Sequence, residues 1–268
     1  MQRLSEIKSL LAERGLRPRK RFGQNFLHDH NLLLRLVDDA GIGADDVVLE
    51  IGPGTGTLTE TLLERGACVV ACELDDDLAD IIQDRIGNRI DLIRGDCLGK
   101  GRSLSSDIVD AIGGRHFKLV ANLPYQIASP LMVELLLNHS NCVGQWITIQ
   151  DEVADRLVAS PGASGWGPLG IIVQWASVVS KLAVLPPSCF WPSPSVTSAM
   201  VSIQPRPRAS DVDGVQFAQF ITKLFSTRRK QLGGVLGRER MARVGIDPTW
   251  RCEQLSIVEL EALFVDDQ

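Results

Sequence analysis

The stretch Val47-Val48-Leu49-Glu50-Ile51-Gly52-Pro53-Gly54-Thr55-Gly56 decides the fold. A short apolar run of the kind that forms a buried strand stops at Gly52. Glycines then recur at alternate positions, where they let the backbone take positive φ and approach a ligand closely. Residues 58–65 follow with helical apolar spacing, so the turn joins a strand to a helix whose N-terminus faces whatever sits there. The spacing is G-x-G-x-G, not the G-x-G-x-x-G of dinucleotide binders, and no phosphate-cradling lysine follows. A tight strand-to-helix turn without a ligand explains the same residues, so the turn alone leaves both readings open.

Working outward, Cys68–Leu74 (CVVACEL) reads as a second strand and Asp77–Ile86 as a helix. Ile90–Arg94 (IDLIR) is a third strand, Phe117–Asn122 (FKLVAN) a fourth and Gln145–Gln150 (QWITIQ) a fifth. Helices are expected over Asn31–Ala40 and Pro130–Asn138. Alternating strands and helices predict an α/β, Rossmann-like fold with a doubly wound, mainly parallel sheet. Helices at Glu152–Ala159 and Leu169–Ser177 precede two late β runs, Lys181–Leu185 and Ser198–Ile203. Pro205, Pro207, Ser210 and Gly214 punctuate a linker. Helices at Val215–Leu236 and Val258–Phe264 then make a small helical domain. The expected division is therefore 1–205 and 206–268, with residues 1–30 a basic, loop-rich lead-in.

In open α/β sheets, ligands bind beyond the carboxyl ends of the strands. Glu73 ends the second strand seventeen residues after Gly56, where a carboxylate can accept both hydroxyls of a ribose. Asp96 follows the third strand, placed to accept from an adenine amino group. Each acid alone reads equally well as surface. Together with the glycine turn they point to a nucleoside cofactor.

The fourth strand ends in Asn122-Leu123-Pro124-Tyr125. An exocyclic adenine amine is a poor nucleophile, because its lone pair is delocalised into the ring. The Asn122 side-chain oxygen and the Leu123 carbonyl can accept its two N–H bonds, which favours a pyramidal nitrogen aimed at an electrophilic methyl. Pro124 stiffens the turn. Tyr125, the single tyrosine of the chain, offers a face on which a base can stack.

Composition limits the remaining choices. The 268 residues carry a net charge of -5, unevenly spread. Residues 1–35 hold eight basic and three acidic side chains, and 181–243 hold ten and three, while 36–180 hold nine and twenty-one. Basic segments of this kind supply phosphate contacts whatever the total charge, or form ordinary solvated surface. No run of eighteen apolar residues exists, so no membrane span is expected. The N-terminus has no apolar signal core, and six cysteines without a C-x-x-C pair predict reduced thiols in a cytoplasm and no metal site.

Over nearly its whole length the chain resembles the ribosomal RNA adenine dimethyltransferases of the KsgA type. The shared blocks are residues 20–27 (KRFGQNFL), 50–56 (EIGPGTG), 73–75 (ELD), 122–125 (NLPY), 150–157 (QDEVADRL), 184–194 (VLPPSCFWPSP) and the basic 225–230 (FSTRRK). The resemblance implies a class I methyltransferase domain using S-adenosylmethionine. It implies that Asn25 and Leu27 close over this cofactor, with Gly52, Gly54, Gly56, Glu73, Asp96 and Asn122 around it. It implies that Phe190 sandwiches the target base opposite Tyr125. The implied activity is N6-dimethylation of two adjacent adenosines in the 3′-terminal hairpin of small-subunit rRNA, on the RNA or an immature subunit, by a monomer. The basic residues expected on the RNA backbone are Arg19, Lys20, Arg21, Arg228, Arg229 and Lys230. The chain departs from the family at Gly165–Gly170 (GWGPLG), where a tyrosine and a serine are usual, and at Gly233-Gly234, which should weaken a helix by about 1 kcal/mol per glycine.

Rival readings are an Erm-type methyltransferase of large-subunit rRNA, a non-catalytic RNA-binding or assembly factor, and an NAD-dependent oxidoreductase. The proline-rich Phe190 loop and the 225–230 block disfavour the first, the intact Asn122–Tyr125 tetrad the second, and the glycine spacing the third. A DNA adenine methyltransferase usually carries Asp-Pro-Pro-Tyr or Asn-Pro-Pro-Tyr instead.

Overall fold

The computed structural model describes residues 2–207 and 212–267; Ser210 of the expected linker lies outside them. In chain order the elements of the first half are α1 (Leu4–Glu13), β1 (Phe26–Leu27), α2 (His30–Asp39), β2 (Val47–Ile51), α3 (Thr57–Glu64), β3 (Cys68–Glu73), α4 (Asp76–Ile86), β4 (Asp91–Arg94), α5 (Ser106–Ile112), β5 (Phe117–Asn122) and α6 (Tyr125–Asn138). They continue as β6 (Cys142–Gln150), α7 (Asp151–Leu157), α8 (Pro168–Ala176), β7 (Ser177–Leu185), β8 (Phe190–Trp191), β9 (Ser198–Pro205), α9 (Gly214–Phe225), α10 (Leu232–Val235), α11 (Arg238–Val244) and α12 (Ile257–Val265).

Every residue of β2 is buried, Glu50 as well as its four apolar neighbours, as befits a central parallel strand. It pairs in parallel with β3 on one side and β5 on the other. The seven-stranded sheet runs β4-β3-β2-β5-β6-β9-β7, and β9 joins β6 antiparallel. A separate antiparallel pair, β1 with β8, sets Leu27 opposite Phe190. Leu33, Leu36 and Val37 of α2 and Leu58 and Leu62 of α3 cover one face of the sheet, within a cluster that includes Val48, Val69, Val120 and Trp146. Each such side chain contributes about 1.5–3 kcal/mol on burial. Asp29 starts α2 by accepting from the N–H groups of Asn31 and Leu32, at 3.0 and 3.2 Å.

The chain forms two compact units. One comprises residues 1–154 and 180–204, the other 155–179 and 205–268. The second thus draws in a segment that the sequence places with the first domain. Its packing gives the reason. Trp175 of α8 lies 4.7 Å from Phe217 of α9, centroid to centroid, Phe217 meets Phe264 of α12 edge-on, and buried Trp166 donates its indole N–H to the Leu255 carbonyl at 3.1 Å. Among the described residues no helix is long and apolar enough to cross a membrane.

Other expectations are corrected. Residues 1–30 are not loop-rich throughout, since they include α1, which buries Ile7 and Leu11, one turn apart. The expected helix 215–236 breaks after Phe225 and resumes as the single turn α10. Gly233 there is a packing requirement, because a Cβ would stand 2.7 Å from the Pro248 side chain. Helix α6 starts at Tyr125 and carries Pro130 inside it, held by buried Ala128, Leu131, Met132 and Leu135.

Candidate active site

Strand β2 has its sequence neighbours β3 and β4 on one side and β5 and β6 on the other, so the chain reverses its direction of travel between β2 and β5. A crevice opens at such a switch point, beyond the carboxyl ends of the strands. Here it is a cavity of about 220 Å³ within the first unit. Asn25, Leu27, Gly52, Gly54, Glu73, Asp96, Asn122, Leu123, Pro124 and Tyr125 all line it.

The glycine turn forms the floor. Gly54 has φ +62°, and a Cβ on it would sit 2.9 Å from the Phe26 ring, so a side chain there has neither a relaxed backbone nor room. Gly52 lies against Pro124 and brings the turn to the β5 end. Gly56, expected at the cofactor, faces Ile82 and Ile86 of α4 instead and serves as the N-cap of α3.

Glu73 is 5% exposed at the end of β3. Its carboxylate accepts the Gly54 N–H at 3.1 Å and the Asp75 N–H at 2.9 Å. Burial raises its pKa to about 7 against the pull of those two N–H groups. Glu50, also on the cavity wall, takes the Thr59 hydroxyl at 2.7 Å, and burial, reinforced by the charge of Glu73, raises it to about 8. Asp96 is exposed and accepts the Leu98 N–H at 2.9 Å.

At the end of β5 the Asn122 amide nitrogen donates to the Asn25 carbonyl at 2.8 Å, and its oxygen accepts the Thr148 hydroxyl. The half-buried Tyr125 shares a hydrogen bond of 2.7 Å with Ser198. The Asn25 contact brings the N-terminal segment over the cavity. That segment is secured by Gln2, which donates to the Thr55 carbonyl, by Gln24 to Asp75 at 2.7 Å, and by Arg19 to Asp75 at 2.6 Å and to Asp77. Neither the Thr148 and Ser198 hydroxyls nor Gln24 was singled out in the sequence, because their partners depend on strand register and on the fold of the lead-in.

Two expectations are changed. Phe190 does not line the cavity. It is 3% exposed in the core cluster with Leu27, Leu33 and Cys189, placed there by its pairing opposite Leu27. Arg19 is engaged by two acids, whereas Lys20 and Arg21 beside it are exposed, with the Arg21 guanidinium over the Phe22 ring at 4.5 Å. In the second unit Arg228 pairs with Glu253 at 2.8 Å, and Arg229 and Lys230 are exposed.

The lining suits one kind of ligand. Its carboxyl groups come from Glu50, Glu73 and Asp96, and its only basic side chain among the described residues is Arg21. A buried carboxyl group beside a glycine turn fits the diol of a nucleoside, and a wall with three acids and one arginine does not fit a chain of phosphates. Among the described residues no cluster of His, Cys, Asp or Glu has a metal-binding arrangement.

The family model of ribosomal RNA adenine dimethylase matches residues 15–259. The chain belongs to that family. The ribosomal RNA small subunit methyltransferase A of Magnetococcus marinus is 38% identical over 274 residues, covering 98% of this chain and 96% of its own. That of Bifidobacterium adolescentis is 35% identical, covering 97% and 91%. The crystal structure of a dimethyladenosine transferase from Plasmodium falciparum superimposes with a TM-score of 0.72 at 23% identity, over 89% of this chain and 95% of that one. This last likeness bears on the fold, a class I methyltransferase sheet.

Proposed function

We propose that this member of the family transfers methyl groups from S-adenosylmethionine to N6 of two adjacent adenosines in the 3′-terminal hairpin of small-subunit rRNA, giving N6,N6-dimethyladenosine. The observation that carries the reading is the placement of Asn122-Leu123-Pro124-Tyr125 in the same cavity as Gly54 and Glu73. When bound, the cofactor supplies an electrophilic methyl on a sulfonium. Glu73 is the residue to hold its ribose, Asp96 to meet its adenine, and Gly52 and Gly54 to let it lie against the backbone.

The target base must leave its stack to reach this cavity. The second lone pair of the Asn122 oxygen and the Leu123 carbonyl accept its amino hydrogens, which turns the nitrogen lone pair out of the ring. Tyr125 offers the stacking face, worth roughly 1–3 kcal/mol. Phe190 belongs to this arrangement only if its core position changes when RNA binds. Lys20, Arg21, Arg229 and Lys230 are the candidates for phosphate contact, with Arg19 and Arg228 contributing less because carboxylates already engage them. We place the catalytic part in the first unit, residues 1–154 and 180–204, and an RNA-contacting part in the second, residues 155–179 and 205–268. The cytoplasm is the compartment we expect, where the rRNA is assembled, and a monomer suffices because the first unit holds the whole cavity.

Labelled cofactor incubated with undermethylated small-subunit and large-subunit particles tests the reading, with Asn122→Ala beside the wild type. Dimethyladenine in the small subunit, reduced about 10²–10³-fold in the variant, is the expected result. Label in the large subunit instead overturns the substrate assignment. The relatives that span this chain end to end carry the small-subunit name, which disfavours that outcome.

A further inference from the structure

Two fully buried hydroxyls lie behind the tetrad. Thr148 on β6 and Ser198 on β9 are both 0% exposed. In the parallel register Thr148 stands opposite Asn122, and its carbonyl also accepts the Leu123 N–H at 3.3 Å. In the antiparallel register Thr148 stands opposite Met200, and Gln150 opposite Ser198. Side chains two apart on a strand share a face, so both hydroxyls project to the same side of the sheet as Asn122. A buried hydroxyl must find a partner, and inside a sheet a neighbouring carbonyl is the usual one. Here each meets a side chain of the cavity wall instead: Thr148 meets Asn122, and Ser198 meets Tyr125.

The contacts are directional. The Asn25 carbonyl can only accept, so the nitrogen of the Asn122 amide must face it and the oxygen must face Thr148. Thr148 therefore donates. One oxygen lone pair is taken, and the amide plane is fixed at two points. Tyr125 is pinned at the far end of its ring, which sets the tilt of its face.

Building on the methyl transfer proposed above, we propose that Thr148 and Ser198 are positioning residues: Thr148 sets the plane of the Asn122 amide that receives the target amino group, and Ser198 sets the ring of Tyr125 on which the base stacks. They touch neither base nor cofactor and act through the residues that do. Methyl transfer depends on placement of the reacting nitrogen, and an error of about 1 Å can cost on the order of 100-fold.

The test compares Thr148→Val, Thr148→Ser and Ser198→Ala with the wild type. Thr148→Val keeps the shape and removes the hydroxyl. Its kcat should fall roughly 10- to 100-fold with KM for RNA, cofactor affinity and Tm held, and Thr148→Ser should restore most of the rate. Equal losses in Tm and rate without rescue by serine would overturn positioning in favour of simple packing, as would wild-type kcat in Thr148→Val. Two readouts need no RNA. The Asn122 side-chain amide signals in the NMR spectrum should shift in Thr148→Val. The one tyrosine can be titrated by absorbance: burial raises the Tyr125 phenol and the Ser198 hydrogen bond draws it back, so Ser198→Ala should move the titration upward. Unchanged amide signals and an unchanged titration would overturn the proposal even if the enzyme were active. If the wild type labels no RNA while both spectroscopic shifts occur, the reaction is misassigned and the hydroxyls still hold Asn122 and Tyr125.

Discussion

Glu50 and Glu73 are two buried acids on one cavity wall with different hydrogen-bond company. Glu73 takes two backbone N–H groups, whereas Glu50 takes the hydroxyl of Thr59. Burial accordingly raises Glu50 to about 8 and Glu73 only to about 7. Glu50 is therefore largely protonated in the folded chain at neutral pH, while the unfolded chain ionises it near 4.5. The folded state then binds the extra proton, so the contribution of Glu50 to stability is complete below 4.5 and is lost as pH rises towards 8. Glu50→Gln, melted without cofactor, should be more stable than wild type near pH 8, on the order of a few kcal/mol, with the gap closing towards pH 4.5. A gap independent of pH would mean that Glu50 is ionised in the folded state. Glu73 has the opposite task, since it must be ionised to accept ribose hydroxyls. Cofactor affinity measured by calorimetry should weaken as pH falls below about 7, by at most about tenfold per unit, and Glu73→Gln should bind weakly with a flat profile.

The N-terminal segment acts as one element because its anchors are spread along it. Gln2 holds the glycine turn, Arg19 and Gln24 hold Asp75, Asn25 holds Asn122, and Phe26 lies on Gly54. Gly54→Ala adds a Cβ at 2.9 Å from the Phe26 ring and leaves alanine at positive φ. The expected cost is about 1–3 kcal/mol of stability, with cofactor affinity reduced about tenfold or more, measured by melting and calorimetry. Unchanged cofactor affinity would detach Phe26 from the site. The glycine turn, Glu73 and the tetrad were legible in the sequence because each rests on a local pattern: a strand that stops, a residue type at its end. Helix α1 was not, because Ile7 and Leu11 are the only residues it buries, too few to mark a helical period. Strands of two residues, such as β1 and β8, leave no period to read, and their pairing is what turns Phe190 into the core. Thr148 and Ser198 were out of reach for a related reason, since a hydroxyl gains its partner from register across three strands. The segment 155–179 joins the second unit through Trp166 and Trp175, contacts that no linker composition announces.

At the scale of the whole molecule the net charge of -5 conceals an organisation that matters for RNA. The acidic residues concentrate in the middle of the chain, where several engage basic partners: Asp75 and Asp77 hold Arg19, Glu60 holds Arg85 and Asp46 holds Lys118. Among the described residues, Lys20, Arg21, Arg229 and Lys230 have no carboxylate within 4.0 Å and are exposed. Exposed, unpaired cations are the ones that displace counterions from a nucleic acid, and each phosphate neutralised adds roughly 0.7–0.9 to the slope of log affinity against log salt. The prediction separates paired from unpaired residues of the same type. Replacing Arg229 and Lys230 together by alanine should lower the slope by about 1.5, and replacing Lys20 and Arg21 should do the same, with affinity falling across RNA sequences alike. Arg19→Ala and Arg228→Ala should change the slope much less, because their charge is already balanced by Asp75, Asp77 and Glu253. Filter binding of a small-subunit rRNA fragment over a salt series measures all four. Equal slopes for the paired and unpaired variants would show that the ion pairs open on binding, and a slope unchanged in every variant would place the RNA on another surface of the chain.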